Sequence, residues 1–109
     1  MKDYIYIISN ELGYIKCGVS KNPKRRVAQL QTGNEHKLTL VFQEEFNCTR
    51  KHLLKIEKEL HKQLRQMSTH CIGEWFFLDK YKMDSIKNTI VFYRIRYEED
   101  TLAFEKPFR

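Results

Sequence analysis

The chain has 109 residues, enough for one compact domain with a single modest core and little room for a second. A 41% hydrophobic and 13% aromatic content excludes global disorder, although 31% of the residues are charged. With 20 Lys and Arg against 14 Asp and Glu the formal charge is +6, which favours a polyanionic partner, and no apolar run is long enough to cross a bilayer.

The N-terminus, Met1-Lys2-Asp3-Tyr4, runs straight into an apparent strand without signal-peptide architecture, so a cytoplasmic location is expected, in a cell or in an infected host cell. Cys17, Cys48 and Cys71 are odd in number and widely spaced. They suit neither a disulfide framework nor the paired ligands of a zinc site, and reduced thiols are expected.

Tyr4 to Ile8 is aromatic and β-branched, and Ser9-Asn10-Glu11-Leu12-Gly13 supplies turn chemistry before a second strand from Tyr14 to Val19. The two read as an antiparallel hairpin. Asn22 then fits an N-cap and Pro23 the first helical position, opening a helix that runs to about Gln31 and stops at Thr32-Gly33-Asn34. Leu38 to Phe46 alternates as a third strand. From about Thr49 to Met67 the period changes: Leu53, Ile56, Leu60, Leu64 and Met67 share one helical stripe, with Glu57 at its edge and His61 one turn further on. Gly73 to Leu78 reads as a short strand or extended turn, and Asp79 to about Phe92 as a last helix. The expected architecture is α+β, a small antiparallel sheet of about three strands flanked by helices. Residues 1–92 form the domain, and 93–109 form a C-terminal extension of unknown role.

Tyr4-Ile-Tyr6, Lys16-Cys-Gly18, Arg26 and Glu57, in that order, resemble the GIY-YIG nuclease superfamily. The similarity is to its short phage, viral and bacterial branch, which carries lysine in place of the first tyrosine of the second motif. It extends from Gly18 through Arg26 to Gly33, and to the blocks Ile56-Glu-Lys-Glu-Leu-His61 and Gly73-Glu-Trp75-Phe76. Several ordered blocks make a specific signal where the tyrosine motif alone is weak. The resemblance implies a metal-dependent endonuclease acting on DNA with one Mg2+ or Mn2+ ion. Tyr6 would match the tyrosine of the first motif, Gly18 the glycine of the second, Arg26 the arginine of the first helix and Glu57 the metal-binding glutamate. Tyr4 stands where the superfamily has glycine, Lys16 where most branches have tyrosine, and the late asparagine has no matched counterpart.

The same roles can be argued from chemistry. A guanidinium stabilises charge that builds on phosphate oxygens during attack, which suits Arg26. Mg2+ takes oxygen ligands and keeps waters, so one carboxylate, Glu57, is enough when the phosphate completes the shell. The water needs a base, and either the Tyr6 phenol or the Lys16 amine can serve if Arg26 and the metal depress its pKa, with Tyr6 preferred and Lys16 helping to hold the water or the phosphate. His61 is placed to orient a water or shuttle a proton. Lys21, Lys24 and Arg25 are expected to contact the nucleic-acid backbone. Each residue also has a plain alternative: core packing for Tyr4 and Tyr6, edge protection for Lys16, a bulge at Gly18, surface charge for Arg26, and an ion pair of Glu57 with His61 or Lys58. Two other functions stay open. One is an inactive module binding nucleic acid or a nucleotide, the other a protein-interaction factor using Tyr93 to Tyr97 and Phe104. A homodimer is compatible with such a short chain, which has no zinc finger or helix-turn-helix.

Overall fold

The computed structural model describes the backbone of residues 2–105 and the side chains of residues 2–97. Five strands and three helices follow in the order β1 (Asp3–Asn10), β2 (Tyr14–Ser20), α1 (Pro23–Gln31), β3 (Leu38–Phe46), α2 (Arg50–Met67), β4 (His70–Ile72), β5 (Trp75–Phe77) and α3 (Lys80–Glu105). They form an α+β structure around one antiparallel sheet with the strand order β3-β1-β2-β5-β4.

The first hairpin closes on Asn10. Its Oδ1 accepts from the backbone N–H of Leu12 and of Tyr14, and Gly13 takes the positive φ of 92° that lets the chain turn back. Opposite register pairs then run from Tyr4↔Ser20 to Ser9↔Ile15. Because side chains alternate across a strand, this ladder divides the apolar residues between two faces. Ile5, Ile7, Ile15 and Cys17 meet the Leu53, Ile56, Leu60, Leu64 stripe of α2 and Ile86 and Ile90 of α3. Tyr6 and Ile8 point the other way, with Leu38, and receive Val27 and Leu30 of α1. Helix α1 therefore covers one face, and α2 with α3 covers the other.

The helix starts follow the local chemistry. Asn22 accepts from Arg25 N–H at 3.1 Å with Pro23 at the first position, Thr49 accepts from His52 N–H, and Asp79 accepts from Lys82 N–H. Gln31 then ties α1 to β3: its amide donates to the carbonyls of Asn34 and His36, and its Oε1 accepts from Leu38 N–H at 2.8 Å. That clamp fixes α1, and with it Arg26, against the sheet.

The sheet has two strands more than expected. Gly73 to Leu78 does contain a strand, β5, and it pairs with β2 at Tyr14 and Ile15 and with the unforeseen β4. All three residues of β4 are exposed, so it carries no alternation to read. The last helix also passes Phe92 and continues to Glu105. In the stretch expected to be an extension, the Tyr93 hydroxyl accepts from Gln63 Nε2 at 3.0 Å, Arg94 donates to Glu44, and the Tyr97 ring lies 4.4 Å from that of His52. These residues bind the helix to α2 and β3. The side chain of Phe104 lies outside the described residues. Among the described residues no helix is long and apolar enough to cross a membrane.

Candidate functional site

Among the described residues β5 pairs with β2 only at Tyr14 and Ile15, which leaves the edge of β2 from Lys16 to Ser20 without a strand neighbour on that side. At this open edge, side chains from both faces of the sheet can meet. A cleft of about 470 Å3 lies there, lined by Tyr6, Lys16, Gly18, Lys21, Arg26, Arg50, Glu57 and Glu74 among others.

Each wall has a local origin. Tyr6, Lys16 and Gly18 share the α1 face, since Tyr6 pairs with Gly18 and Ile8 with Lys16. Arg26 sits beside the apolar side of α1, next in sequence to Val27 and one turn before Leu30, and remains exposed. Glu57 comes from the opposite face, beside the α2 stripe one turn on from Leu53, and is half-buried. Four separate elements thus bring a phenol, an amine, a guanidinium and a carboxylate into one cleft.

Gly18 makes room for Tyr6. A Cβ at position 18 would stand 2.6 Å from Tyr6 Cζ and nearer still to its Oη, so the phenol lies across the bare glycine backbone. In place of the bulge that was the plain alternative at Gly18, the glycine serves this close approach. Burial pushes the Tyr6 phenol above its ordinary pKa of 10.0, and the Arg26 guanidinium beside it offsets only part of the rise. The Glu57 charge acts in the same upward direction as burial. Without a further cation in the cleft, Tyr6 is therefore a hydrogen-bond donor at neutral pH, and the lowering by Arg26 that the sequence suggested is outweighed.

Lys16 donates to Glu74 at 3.0 Å and lies 5.9 Å from the centre of the Trp75 ring. The ammonium holds the Glu74 carboxyl below the ordinary carboxylate range. Glu57, by contrast, has no ion-pair partner among the described residues, and the pairing with His61 or Lys58 that a surface role suggested is not made. His61 does not line the cleft. Its Nε2–H donates to the Cys17 carbonyl at 2.7 Å, so the imidazole holds the unpaired edge of β2 just behind the cleft.

Lys21 lines the cleft and two adjoining hollows, whereas Lys24 lines only one of these, beside Tyr4 and Gln43. Arg25 is exposed on α1, where its backbone serves the Asn22 cap. Two charged lining residues, Arg50 and Glu74, were given no site role by the sequence, although Glu74 lies within the Gly73-Glu-Trp75-Phe76 block. Arg50 opens α2 and Glu74 stands in the turn between β4 and β5, where periodicity singles out no charge. The signals for them were indirect: an acid, Asp3, opening an apolar strand, and an acid directly before Trp75.

No group of three or more His, Cys, Asp or Glu side chains able to cage a metal occurs among the described residues. The donor set of the cleft, one carboxylate free of cations beside a phenol oxygen, fits instead a hard divalent ion that keeps waters and takes phosphate oxygens.

No curated protein and no solved structure matches the chain. A family model for the T5orf172 domain does, over residues 3–91, which spans every strand and all the residues of the cleft. This domain occurs in phage and bacterial endonuclease-like proteins and forms a GIY-YIG-like fold family, which points to a nuclease-like or DNA-binding module. The chain belongs to the T5orf172 domain family.

Proposed function

We propose that the chain is a GIY-YIG-type endonuclease that hydrolyses phosphodiester bonds in DNA with one Mg2+ or Mn2+ ion, its nuclease unit spanning residues 1–92. The observation that supports this most is that Glu57, unpaired, joins Tyr6, Lys16 and Arg26 across the open edge of β2 from the opposite face of the sheet. A module that only binds a polyanion uses the cations and is opposed by the carboxylate.

Glu57 would hold the ion. Once bound, the ion supplies Lewis acidity, making the attacking water more acidic and neutralising charge on the phosphate. Arg26 donates to the phosphate oxygens on which charge builds, and Lys16, kept in place by Glu74 and Trp75, adds a second positive charge. Tyr6 orients the water through its hydroxyl and would accept the water's proton at Oη once its own proton has passed to solvent, a loss that the ion's positive charge would favour. The water oxygen bonds to phosphorus, the bond to the leaving sugar oxygen breaks, and that oxygen is protonated from solvent. His61 acts through Cys17 as a positioning residue.

The test compares wild type with Glu57→Ala and Arg26→Ala on supercoiled plasmid, a branched junction and single strands, with Mg2+, Mn2+ or chelator. Cleavage should need the metal and fall by roughly 100-fold or more in both variants. Salt-sensitive binding with no cleavage under any of these conditions would instead establish the inactive binding module. The ion-paired Lys16 and the raised pKa of Tyr6 are the features that favour that second reading.

A further inference from the structure

Among the described residues Asp3 is the buried charged one, 2% exposed at the start of β1. Its Oδ1 accepts from Arg50 Nη1 at 2.8 Å, while the Arg50 side chain stays 48% exposed. A buried ion pair is poor value as a stabiliser, because desolvation offsets most of the attraction. What this one does achieve is orientation. Arg50 lines both the main cleft and a second hollow of about 450 Å3, and a guanidinium has five donors, more than Asp3 uses in this bond. Lys21, with no ion-pair partner among the described residues, also lines both. The second hollow carries Cys48 and Tyr97 on its walls, and Tyr97 is backed by the His52 ring at 4.4 Å. A cation shared between two hollows and an aromatic side chain in the outer one match the repeat of a nucleic-acid strand, phosphate and then base.

We infer that the Asp3–Arg50 pair is a second phosphate clamp, which binds the phosphate next to the one attacked, while the hollow walled by Cys48 and Tyr97 seats the base that follows it. The inference rests on the nuclease reading of the main cleft. Arg50 and Lys21 carry the strand out of that cleft, and Asp3 is a positioning residue that sets the direction of the Arg50 fork.

The test uses Glu57→Ala protein, so that binding is measured without turnover, and a set of short oligonucleotides with one neutral methylphosphonate linkage moved step by step along the strand. At one linkage the neutral group should weaken binding roughly tenfold, the loss of one charge-assisted contact. Neutralising the clamp should cost the unmodified strand a similar factor and abolish the sensitivity at that linkage alone. Removing Arg50 by itself would strand a buried carboxylate, so the pair is replaced together, as Asp3→Asn with Arg50→Gln and, independently, as Asp3→Leu with Arg50→Met. Retention of the full sensitivity at every linkage in a folded double variant overturns the clamp and leaves the nuclease reading standing. Absence of any salt-sensitive binding to the Glu57→Ala protein overturns both. An intact linkage pattern in a wild-type chain that never cleaves ends the nuclease reading and with it the clamp's place beside an attacked phosphate, leaving Arg50 only as a phosphate contact of a binding module.

Discussion

Gly18 faces Tyr6 directly across the β1–β2 ladder, and the phenol occupies the space that any side chain there would need. Gly18→Ala should therefore cost about 1–3 kcal/mol, the usual penalty of overpacking, and should displace the ring from Arg26. A urea melt measures the cost. Adding Tyr6→Ala should remove most of the clash, so two independent, additive losses would show that the ring does not depend on the glycine. Cys17, on the opposite face of the same strand, gives a pH signature. Burial, helped by the Glu57 charge, pushes its thiol from the ordinary 9.0 up to about 12. Below pH 9 the thiol is neutral in both folded and unfolded chains, and its contribution to stability is complete. As pH rises from 9 towards 12 the unfolded thiol ionises while the folded one resists, so stability falls, by up to about 1.4 kcal/mol per pH unit. Tyr6, raised from 10.0, adds to the decline at higher pH. Cys17→Ala should lose stability less steeply between pH 9 and 10 than wild type, and parallel curves in that interval would remove Cys17 as the cause.

Helix α3 is where local pattern and tertiary contact diverge. Its start is marked by the Asp79 cap, but from Phe92 onward aromatic and charged residues alternate in a way that mimics a strand, and the next proline is Pro107. The bonds of Tyr93 to Gln63 and of Arg94 to Glu44, and the Tyr97–His52 contact, keep the segment helical against α2 and β3. A chain cut after Tyr97 retains all three, whereas one cut after Val91, at the end of the family match, retains none. The shorter chain should be less stable by about 1–3 kcal/mol in denaturant, taking these contacts at ordinary values for partly buried hydrogen bonds and rings. Equal midpoints for the two would mean that the contacts contribute nothing. The other helices and the first three strands were legible because their signals are local: Asn22-Pro23 and Thr49 at the starts, the Leu53 to Leu64 stripe, and the alternation on either side of Asn10 to Gly13. β4 was not, since three exposed residues acquire strand character only by pairing with Trp75 to Phe77.

Tyr6, Lys16, Arg26 and Glu57 were legible as an ordered set through motif resemblance, but the fold seats the apolar sides of α1 and α2 on opposite faces of the sheet. It is the short overlap of β5 with β2 that leaves an edge around which Glu57 can reach the others. The place of Arg50 and Glu74 in the cleft was not legible because their partners, Asp3 and Lys16, are 47 and 58 residues away in sequence. These side chains also concentrate the molecule's charge of +6. Lys16, Lys21, Arg26 and Arg50 line the cleft, and Lys24 and Arg25 extend the positive surface along α1 beyond it. If a nucleic-acid strand follows this surface, each phosphate that a cation neutralises releases counterions, and binding weakens with salt at a slope of about −0.9 per contact on duplex DNA or −0.7 on a single strand. Replacing Lys24 and Arg25 together by alanine should make the slope on duplex shallower by about 1.8, the share of two contacts. Both positions are exposed, so folding is not at risk, and fluorescence anisotropy between 50 and 200 mM salt, roughly the range over which such slopes are read, measures the change. An unchanged slope would confine the nucleic acid to the cleft and the Arg50 side, and would take α1 beyond Arg26 out of the binding surface.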